Sequence, residues 1–524
     1  MKRLRSPRRV VAVLVMLALC ARTFAAEAGR APVPAAPASL DELRARIEAH
    51  VTQARFSGAL WGVKIVSAET GRIWFEHHAD RLMSPASNCK LYTGALALDR
   101  LGGDYRIVTP IVAAAKPDGA GLLRGDVIVS GRGDPSWNTR NGSKNFRDTF
   151  APFVAVLKNA GVRRVTGDII ADATWFHSPP NGAGWTADDL NDDYGAEISA
   201  ITIEDNYAEL RVTPATQAGQ PCRSEWLQPL AGLGLDNRTV TSAAGGGRQI
   251  AARRLPGETT VHLLGELPVG GAEATIEVTV PRPAAWFAAG LKEALVRAGI
   301  PVEGAARGVR WPDPPAATAN SVKLGEIVSP PLRDLVAAFM KPSQNLETDL
   351  IFGHLGELRR TPATPVLQTS EDLAVTELRE FLRTHGLPAD EVRFEEGSGL
   401  SRNNLASANA TVALLTFMTT HREASAFMAS LPIAGVDGTL RRRMKGTPAE
   451  GNLRGKTGTL RYANSLSGFV TTAGGEKLIF SLMLNRSVPQ PSGRSVREEL
   501  DDIAVLLARF AVRSGAVSDG RSRP

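Results

Sequence analysis

Ser87 and Lys90 are the first residues in the chain whose types and spacing could do chemistry together. Residues three apart on a helix share a face, so the lysine amine can reach the serine hydroxyl. A serine needs a base to become a nucleophile, and a desolvated lysine can be neutral enough to act as that base. A lone S-x-x-K recurs by chance in long chains, so this pair is a weak signal by itself.

Two more short motifs follow far along the chain. Ser343-Gln344-Asn345 comes after the helical run from Leu332 to Met340, and Lys456-Thr457-Gly458-Thr459 precedes a strand-like segment. At a strand edge the second of these could present a cation, a hydroxyl and free backbone groups, and its glycine leaves room for a peptide to lie alongside. Taken singly, such triplets are more often a polar helix end and a turn.

In this order the three motifs match the set of penicillin-recognising enzymes, S-x-x-K, S-x-N and K-T-G. Their joint occurrence is far more specific than any one of them. The chain resembles the D-alanyl-D-alanine carboxypeptidase/endopeptidase family, the serine-type class C low-molecular-mass penicillin-binding proteins. The matching stretches are Pro85 to Leu91, Gly133 to Pro135, Lys341 to Leu346, Gly397 to Arg402, Gly435 to Leu440 and Lys456 to Leu460.

The long separation of the first two motifs narrows the resemblance. Roughly half of the chain lies between Lys90 and Ser343, whereas compact serine β-lactamases have only a short spacing there. The resemblance implies an α+β transpeptidase fold of the penicillin-binding protein and serine β-lactamase type, an antiparallel sheet flanked by helices. It also implies β-rich domains inserted between the first and second catalytic motifs.

The resemblance assigns catalytic roles to four residues. Ser87 attacks the carbonyl between two D-alanines, and Lys90 takes its proton. Ser343 relays a proton to the departing amine, and Asn345 holds the substrate amide and Lys90.

Substrate binding is assigned to the third motif. Lys456 and Thr457 engage the terminal carboxylate, and Gly458 and Thr459 complete the binding strand. The backbone N–H groups of Ser87 and Thr459 are expected to form an oxyanion hole. Peptidoglycan peptides ending in D-Ala-D-Ala are the implied partners, and β-lactams are the implied covalent inhibitors.

Departures from the family pattern are small. Cys89 stands where a threonine is more usual, and Gln344 where an aspartate often stands. A second S-x-N, Ser401-Arg402-Asn403, lies in the segment from Gly397 to Arg402. That segment is either a tight turn beside the site or a wall of the site. We predict the turn, and we leave Ser401 out of the catalytic set.

Hairpin patterns near the two ends of the chain must supply the sheet. Ala59 to Ser67 with Arg72 to His77, and Ser465 to Thr472 with Lys477 to Asn485, read as strand pairs. Helical patterns flank them at Leu40 to Val51 and around Val496, Leu500, Ile503 and Leu507. We expect one sheet built from both termini.

The helix that carries the serine begins with favourable residues. Ser84 can cap this helix, Pro85 suits its first position, and Ser87 then falls in its first turn.

The middle of the chain has a different texture. Short alternating segments, such as Leu123 to Val129, Thr259 to Leu264 and Ala274 to Val280, are separated by Gly and Pro. A helix over Ala284 to Ala298 and a Pro-rich linker from Trp311 to Pro315 follow. We therefore divide the chain into a first transpeptidase part at 29–105, two nested β-rich inserted domains at 106–300 and a second transpeptidase part at 301–524.

The first 28 residues read as a secretory signal peptide. A basic stretch precedes eleven apolar residues, Val10 to Cys20, and small residues follow, with Ala26-Glu27-Ala28 as a candidate cleavage site. An uncleaved membrane anchor is the alternative, but eleven residues at about 1.5 Å each fall short of a bilayer core of roughly 30 Å. We expect an exported, periplasmic protein.

Composition excludes several classes of partner and cofactor. With 43% hydrophobic and 22% charged residues the chain is globular in character, and its formal charge of +7 owes much to the basic leader. No basic run interleaved with aromatics predicts nucleic-acid binding, and membrane contact is at most peripheral. No H-E-x-x-H, paired C-x-x-C or nucleotide loop occurs, so we expect neither a metal nor another cofactor. Only Cys89 and Cys222 remain beyond the leader, too few for a disulfide framework.

Two other functions stay open at this point. A serine β-lactamase uses the same first steps but must deacylate a β-lactam quickly, and the sequence shows no convincing glutamate motif for that water. A non-catalytic cell-wall binding protein would use its middle domains instead.

Overall fold

The computed structural model describes residues 35–229, 232–488 and 494–512. The predicted signal peptide, 1–28, therefore lies outside the described residues. The helices in these ranges are α1 (Leu40–Val51), α2 (Cys89–Leu101), α3 (Ala151–Asn159), α4 (Pro283–Arg297), α5 (Leu332–Met340), α6 (Asn345–Arg359), α7 (Ser370–Thr384), α8 (Ala408–Thr420), α9 (Ala424–Ser430) and α10 (Val496–Arg509). None of them combines the length and the apolar character needed to cross a membrane.

The strands of the described residues form several sheets. In chain order they are β1 (Leu60–Ser67), β2 (Ile73–His77), β3 (Val108–Ala113), β4 (Leu122–Leu123), β5 (Val127–Ser130), β6 (Arg164–Val165), β7 (Ile169–Asp172), β8 (Tyr207–Thr213), β9 (Arg223–Trp226), β10 (Gly234–Ser242), β11 (Gln249–Arg253), β12 (Thr260–Pro268), β13 (Ala274–Thr279), β14 (Ala306–Val309), β15 (Val322–Val328), β16 (Val392–Arg393), β17 (Leu405–Ala406), β18 (Arg454–Leu460), β19 (Ala463–Thr471) and β20 (Lys477–Asn485).

One five-stranded sheet joins the two ends of the chain. Its order is β18-β19-β20-β1-β2, and each neighbouring pair is antiparallel. The predicted sheet built from both termini is therefore present, with Val63 of β1 opposite Leu482 of β20.

Strand β20 is covered on both faces, which explains its almost continuous apolar sequence. Phe480 and Leu482 pack into the core shared with α1 and α10. Ile479 points the other way, into the core formed with α2 and α5 to α8. These two cores fix the sheet relative to α2, the helix that carries Lys90.

Helix α2 begins differently from the prediction. A 3₁₀ turn, Ala86–Asn88, precedes it and contains Ser87. Ser84 does not cap the helix with its side chain. Asn485 holds its backbone instead, accepting from the Ser84 N–H at 2.8 Å and donating to its carbonyl at 3.1 Å. Ala86 has a φ of +47°, so the helix cannot run through this residue, and it begins after the turn with Asn88 as its N-cap residue.

The inserted part contains a second five-stranded sheet, of order β14-β7-β5-β3-β15. Two three-stranded sheets, β13-β8-β9 and β10-β12-β11, lie beside it. The large inserted sheet packs with α3 and α4 in one core, and the small sheets share another.

The inserted sheet extends past the predicted boundary at residue 300. Strand β14 pairs in parallel with β7, and β15 pairs antiparallel with β3. Sheet pairing therefore places both strands with the insert and not with the second transpeptidase part. Leu123 to Val129 is also two strands instead of one, because the chain turns at Gly125, whose φ is +96°.

The doubly covered strand gives a test of the fold. Phe480 is fully buried, so Phe480→Ala should lower the free energy of unfolding by about 3 to 5 kcal/mol through lost burial and a cavity. A urea titration followed by tryptophan fluorescence measures this as a lower midpoint. Leu367→Ala, at a side chain that is 83% exposed, is the control and should change stability by about 0.5 kcal/mol or less. Equal midpoints for the two variants would contradict the assignment of β20 to the core.

Candidate active site

The first two site residues contact each other at the start of α2. The Nζ atom of Lys90 lies 3.1 Å from Oγ of Ser87. Ser87 is partly exposed while Lys90 is fully buried. Solvent therefore reaches Ser87 but not the amine beside it.

Lys90 has two further hydrogen-bond acceptors, each from another segment of the chain. Oδ1 of Asn345 lies 2.7 Å from Nζ, and the carbonyl oxygen of Ser398 lies 2.6 Å away. Burial lowers the pKa of Lys90 to about 8, although the nearby carboxyls of Asp349 and Glu396 act to raise it. An amine with this pKa can serve as a base near neutral pH.

The second motif sits at the start of α6. Gln344 is the N-cap of this helix, and its Oε1 accepts from the Leu346 N–H at 3.2 Å. Ser343, just before it, adopts a left-handed backbone with a φ of +71°, which is uncommon for a residue other than glycine and recurs at functional sites. The amide of Asn345 also donates to the Tyr194 carbonyl at 3.0 Å, so the insert touches the site directly.

The third motif forms the edge strand β18. Nζ of Lys456 donates to Oγ of Ser343 at 2.7 Å and to the Thr457 carbonyl at 2.8 Å. Burial, with a smaller contribution from the charge of Lys90, lowers the pKa of Lys456 well below its usual value. The Thr457 hydroxyl contacts the hydroxyl of Thr439 at 2.8 Å, which ties the strand to the Gly435 to Leu440 segment.

Gly458 brings β18 against the turn that holds Ser87. A Cβ atom at this position would lie 2.5 Å from the Pro85 carbonyl oxygen and 3.0 Å from the Ser87 nitrogen. Any side chain at this position would clash with these backbone atoms, so only glycine fits here. Thr459, the next residue, is exposed.

The segment from Gly397 to Arg402 is a turn and also a wall of the site. Gly399 takes a φ of +88°, as a turn requires, but the Ser398 carbonyl contacts Lys90. The prediction of a turn alone was incomplete. The Ser401 hydroxyl donates to Glu395 at 3.1 Å instead of meeting Lys90, so the structure brings Ser343, and not Ser401, to the site.

Four contributors to the site were missed from the sequence. They are the backbone carbonyls of Ser398 and Tyr194 and the buried carboxyls of Asp349 and Glu396. Backbone groups leave no mark in side-chain patterns. Asp349 gave one signal, since it follows Asn345 by one helical turn and so faces the same way.

One group of potential metal ligands occurs in the described residues, away from these motifs. Ligand atoms of His50, Glu499 and Asp502 lie within 4.8 Å of one another. Arg55 donates to both Glu499 oxygens at 2.9 and 2.8 Å, and Arg494 lies 3.3 Å from the same carboxylate. Two arginines thus already supply the positive charge, and we assign no metal there.

Comparisons with known proteins agree with this arrangement. The model of the D-Ala-D-Ala carboxypeptidase 3 (S13) family matches residues 43–507. D-alanyl-D-alanine carboxypeptidase of Actinomadura sp. (strain R39) is 34% identical over 518 residues, which cover 97% of this chain and 92% of that protein. D-alanyl-D-alanine carboxypeptidase DacB of Haemophilus influenzae is 26% identical over 449 residues, which cover 83% and 87%.

Solved structures show the same fold. The crystal structure of penicillin-binding protein 4 (dacB) from Haemophilus influenzae superposes with a TM-score of 0.75 at 24% identity, and covers 88% of this chain and 99% of that one. The same protein complexed with a novel β-lactam gives 0.68 at 23% identity, and covers 87% and 97%.

The α+β fold of the penicillin-binding proteins is confirmed by these structures. The predicted enzyme class, a serine-type D-Ala-D-Ala carboxypeptidase, is confirmed by the family match and the named relatives. The chain belongs to the D-Ala-D-Ala carboxypeptidase 3 (S13) family.

Proposed function

We propose that Ser87 is the nucleophile that cleaves D-alanyl bonds in peptidoglycan stem peptides and cross-links through an acyl-enzyme. The contact between Ser87 Oγ and the buried amine of Lys90, at 3.1 Å, carries this proposal. Asn345 and the Ser398 carbonyl hold the amine in place from two other sides.

Acylation begins at that contact. Lys90 takes the proton of Ser87, and Oγ forms a bond to the carbonyl carbon of the penultimate D-alanine. Negative charge develops on the carbonyl oxygen, and the N–H groups of Ser87 and Thr459 are its proposed donors. Each such donor is worth about 3 to 4 kcal/mol in other acyl-transfer enzymes. The closeness of Gly458 to the Ser87 nitrogen supports this pairing.

Ser343 is the proposed relay to the leaving group. Its hydroxyl accepts from Lys456 at 2.7 Å. As the C–N bond breaks, Ser343 donates its proton to the departing nitrogen and receives the proton that Lys90 took from Ser87, so Lys90 is neutral again. Water then attacks the ester carbonyl, a base takes its proton, and Ser87 regains its own. Lys90, already beside Oγ, is the base we propose for this second step.

Substrate lies along β18 in this proposal. An exposed strand edge can pair with an extended peptide, and Lys456 with the Thr457 hydroxyl would receive the terminal carboxylate. A free D-alanine or the amine of a cross-linked stem peptide could leave from the same position. We therefore propose both carboxypeptidase and endopeptidase activity.

We also propose how the enzyme is inhibited and where it is located. β-Lactams are proposed to acylate Ser87, and the predicted signal peptide supports a periplasmic protein. Nucleic acid is not a proposed partner, and membrane contact is at most peripheral.

Acylation should depend on pH through Lys90. The pKa of this amine is about 8, and only the neutral form can take a proton, so the acylation rate should rise as pH increases through about 8 and then level off. Labelling by a fluorescent penicillin, timed at a series of pH values, measures the profile. Lys90→Arg keeps the positive charge but cannot deprotonate, and it should lose acylation by about a hundredfold or more. A flat profile between about pH 6 and 10 would contradict the role of Lys90 as base.

Replacing the nucleophile should stop both reactions. Ser87→Ala is expected to abolish covalent penicillin labelling and hydrolysis of pentapeptides and cross-linked muropeptides, followed by mass spectrometry. Ser401→Ala is the matched control, because it removes a hydroxyl nearby that does not contact Lys90, and it should keep both. Persistence of labelling or hydrolysis in Ser87→Ala would exclude this serine.

The lifetime of the penicilloyl complex separates a peptidase from a β-lactamase. We expect the complex to last for hours, because the sequence shows no convincing glutamate motif to activate a water for rapid deacylation of a β-lactam. Intact-mass measurements after removal of free penicillin follow its decay. Decay in well under a second would identify a β-lactamase, and failure to label would favour a binding protein.

A further inference from the structure

The buried carboxyls of Glu396 and Asp349 interact electrostatically with Lys90, and neither belongs to the three motifs. Glu396 is fully buried in the loop before Ser398, and Asp349 is 3% exposed on α6. Buried carboxyls are rare unless they are paired or hydrogen-bonded. Their position next to the catalytic amine therefore needs an explanation.

Glu396 is surrounded by donors. Its two oxygens accept from five groups: the N–H of Ser398 at 2.8 Å, the Ser398 hydroxyl, the N–H of Gly399 at 2.7 Å, the N–H of Ser401 at 3.2 Å and the side-chain amide of Asn404 at 2.6 Å. An ionised carboxylate is an acceptor only, so this set of contacts fits one negative charge on Glu396.

Asp349 has the opposite character. One of its oxygens accepts from the Gly397 N–H at 3.1 Å. Burial, the charge of Glu396 and a hydrogen bond to it raise the pKa of Asp349 well above its usual range. Two buried carboxyls that feel each other's charge are costly to ionise together, so the donors around Glu396 favour the negative charge there.

The loop that Glu396 holds through hydrogen bonds also orients the Lys90 amine. A neutral amine has two N–H groups and one lone pair. Asn345 Oδ1 and the Ser398 carbonyl, at 2.7 and 2.6 Å, use the two N–H groups. The lone pair is then left for the Ser87 hydroxyl. The Thr93 hydroxyl fixes the same loop by donating to the Gly397 carbonyl at 2.8 Å.

Other titratable groups near the pair do not replace its charge. The Cys89 thiol is buried and its pKa is raised, mainly by that burial, so it stays neutral. Burial raises the pKa of Glu371, which feels the charge of Glu396, to about 7. Lys456, on the other side of Lys90, contributes no negative charge.

We propose that Glu396 and Asp349 act as a positioning pair for Lys90. By holding the loop whose Ser398 carbonyl contacts Lys90, they direct the Lys90 lone pair at Ser87, and their carboxyls raise the pH at which Lys90 becomes a base. The inference rests on the proposed function, because it needs Lys90 to take the proton of Ser87.

The pH profile of acylation by a fluorescent penicillin tests the pair. Glu396→Gln removes the negative charge, so Lys90 loses its proton more easily and the rising limb should move to lower pH by about one unit. The plateau should fall about tenfold or more, because the Ser398 carbonyl is displaced. Asp349→Asn removes the other carboxyl that acts to raise the pKa of Lys90 but keeps an oxygen for the Gly397 N–H, so its rising limb should also move to lower pH while its plateau stays closer to the wild type.

Controls keep the result specific. Glu395→Gln removes a neighbouring carboxylate that contacts Ser401 and Asn403 instead of Lys90, and neither its limb nor its plateau should move. Should Glu396→Gln not fold, Glu396→Asp keeps the charge on a shorter side chain, and only its plateau should fall.

Three results would overturn the pair: an unmoved limb in Glu396→Gln, an unchanged plateau in Glu396→Asp, or a limb in Asp349→Asn that does not move to lower pH. Failure of the wild type to label would instead overturn the proposed function, so the two failures are distinguishable.

Discussion

A fully buried lysine amine is the constraint on which the rest of this site depends. Taking a cation out of water costs several kcal/mol unless partners compensate, and here the compensation comes from separate segments. Ser87 lies in the turn just before the helix of Lys90, Asn345 begins α6, and Ser398 lies in a loop. Holding Lys90 in place therefore means holding these three segments together, and the same desolvation lowers the pKa of the amine, so that more of it is neutral near neutral pH.

The sheet supplies the frame for that convergence. Strand β20 is buried on both faces and, through Asn485, holds the backbone just before the turn with Ser87. Edge strand β18 brings Gly458 against that turn and Lys456 against Ser343. The insert also contacts the site directly. Tyr194 reaches Asn345, and Arg402 in the site loop pairs with Asp189 of the insert at 2.7 and 3.0 Å.

Sequence patterns predicted the parts of the molecule whose side chains repeat or combine in a recognisable way. Helix α1 matches its predicted bounds, Leu40 to Val51, because its apolar spacing and its Ser39 cap agree. The three motifs were found because their residue types and their order along the chain are recognisable. The Ser398 carbonyl was not found, because a backbone oxygen has no residue type. The predicted domain boundary at residue 300 assigned strands β14 and β15 to the second transpeptidase part, whereas both pair with strands of the insert. Short strands beside a Pro-rich linker do not indicate which sheet they join.

Mapping the residue that carries the β-lactam adduct tests whether Ser87 is the nucleophile. The protein would be labelled with penicillin, digested with trypsin and analysed by tandem mass spectrometry, in which cleavage at Arg81 and Lys90 releases the segment with Ser87. We expect the penicilloyl mass on Ser87. An adduct on Ser343, Ser401 or any other residue would exclude Ser87 as the nucleophile.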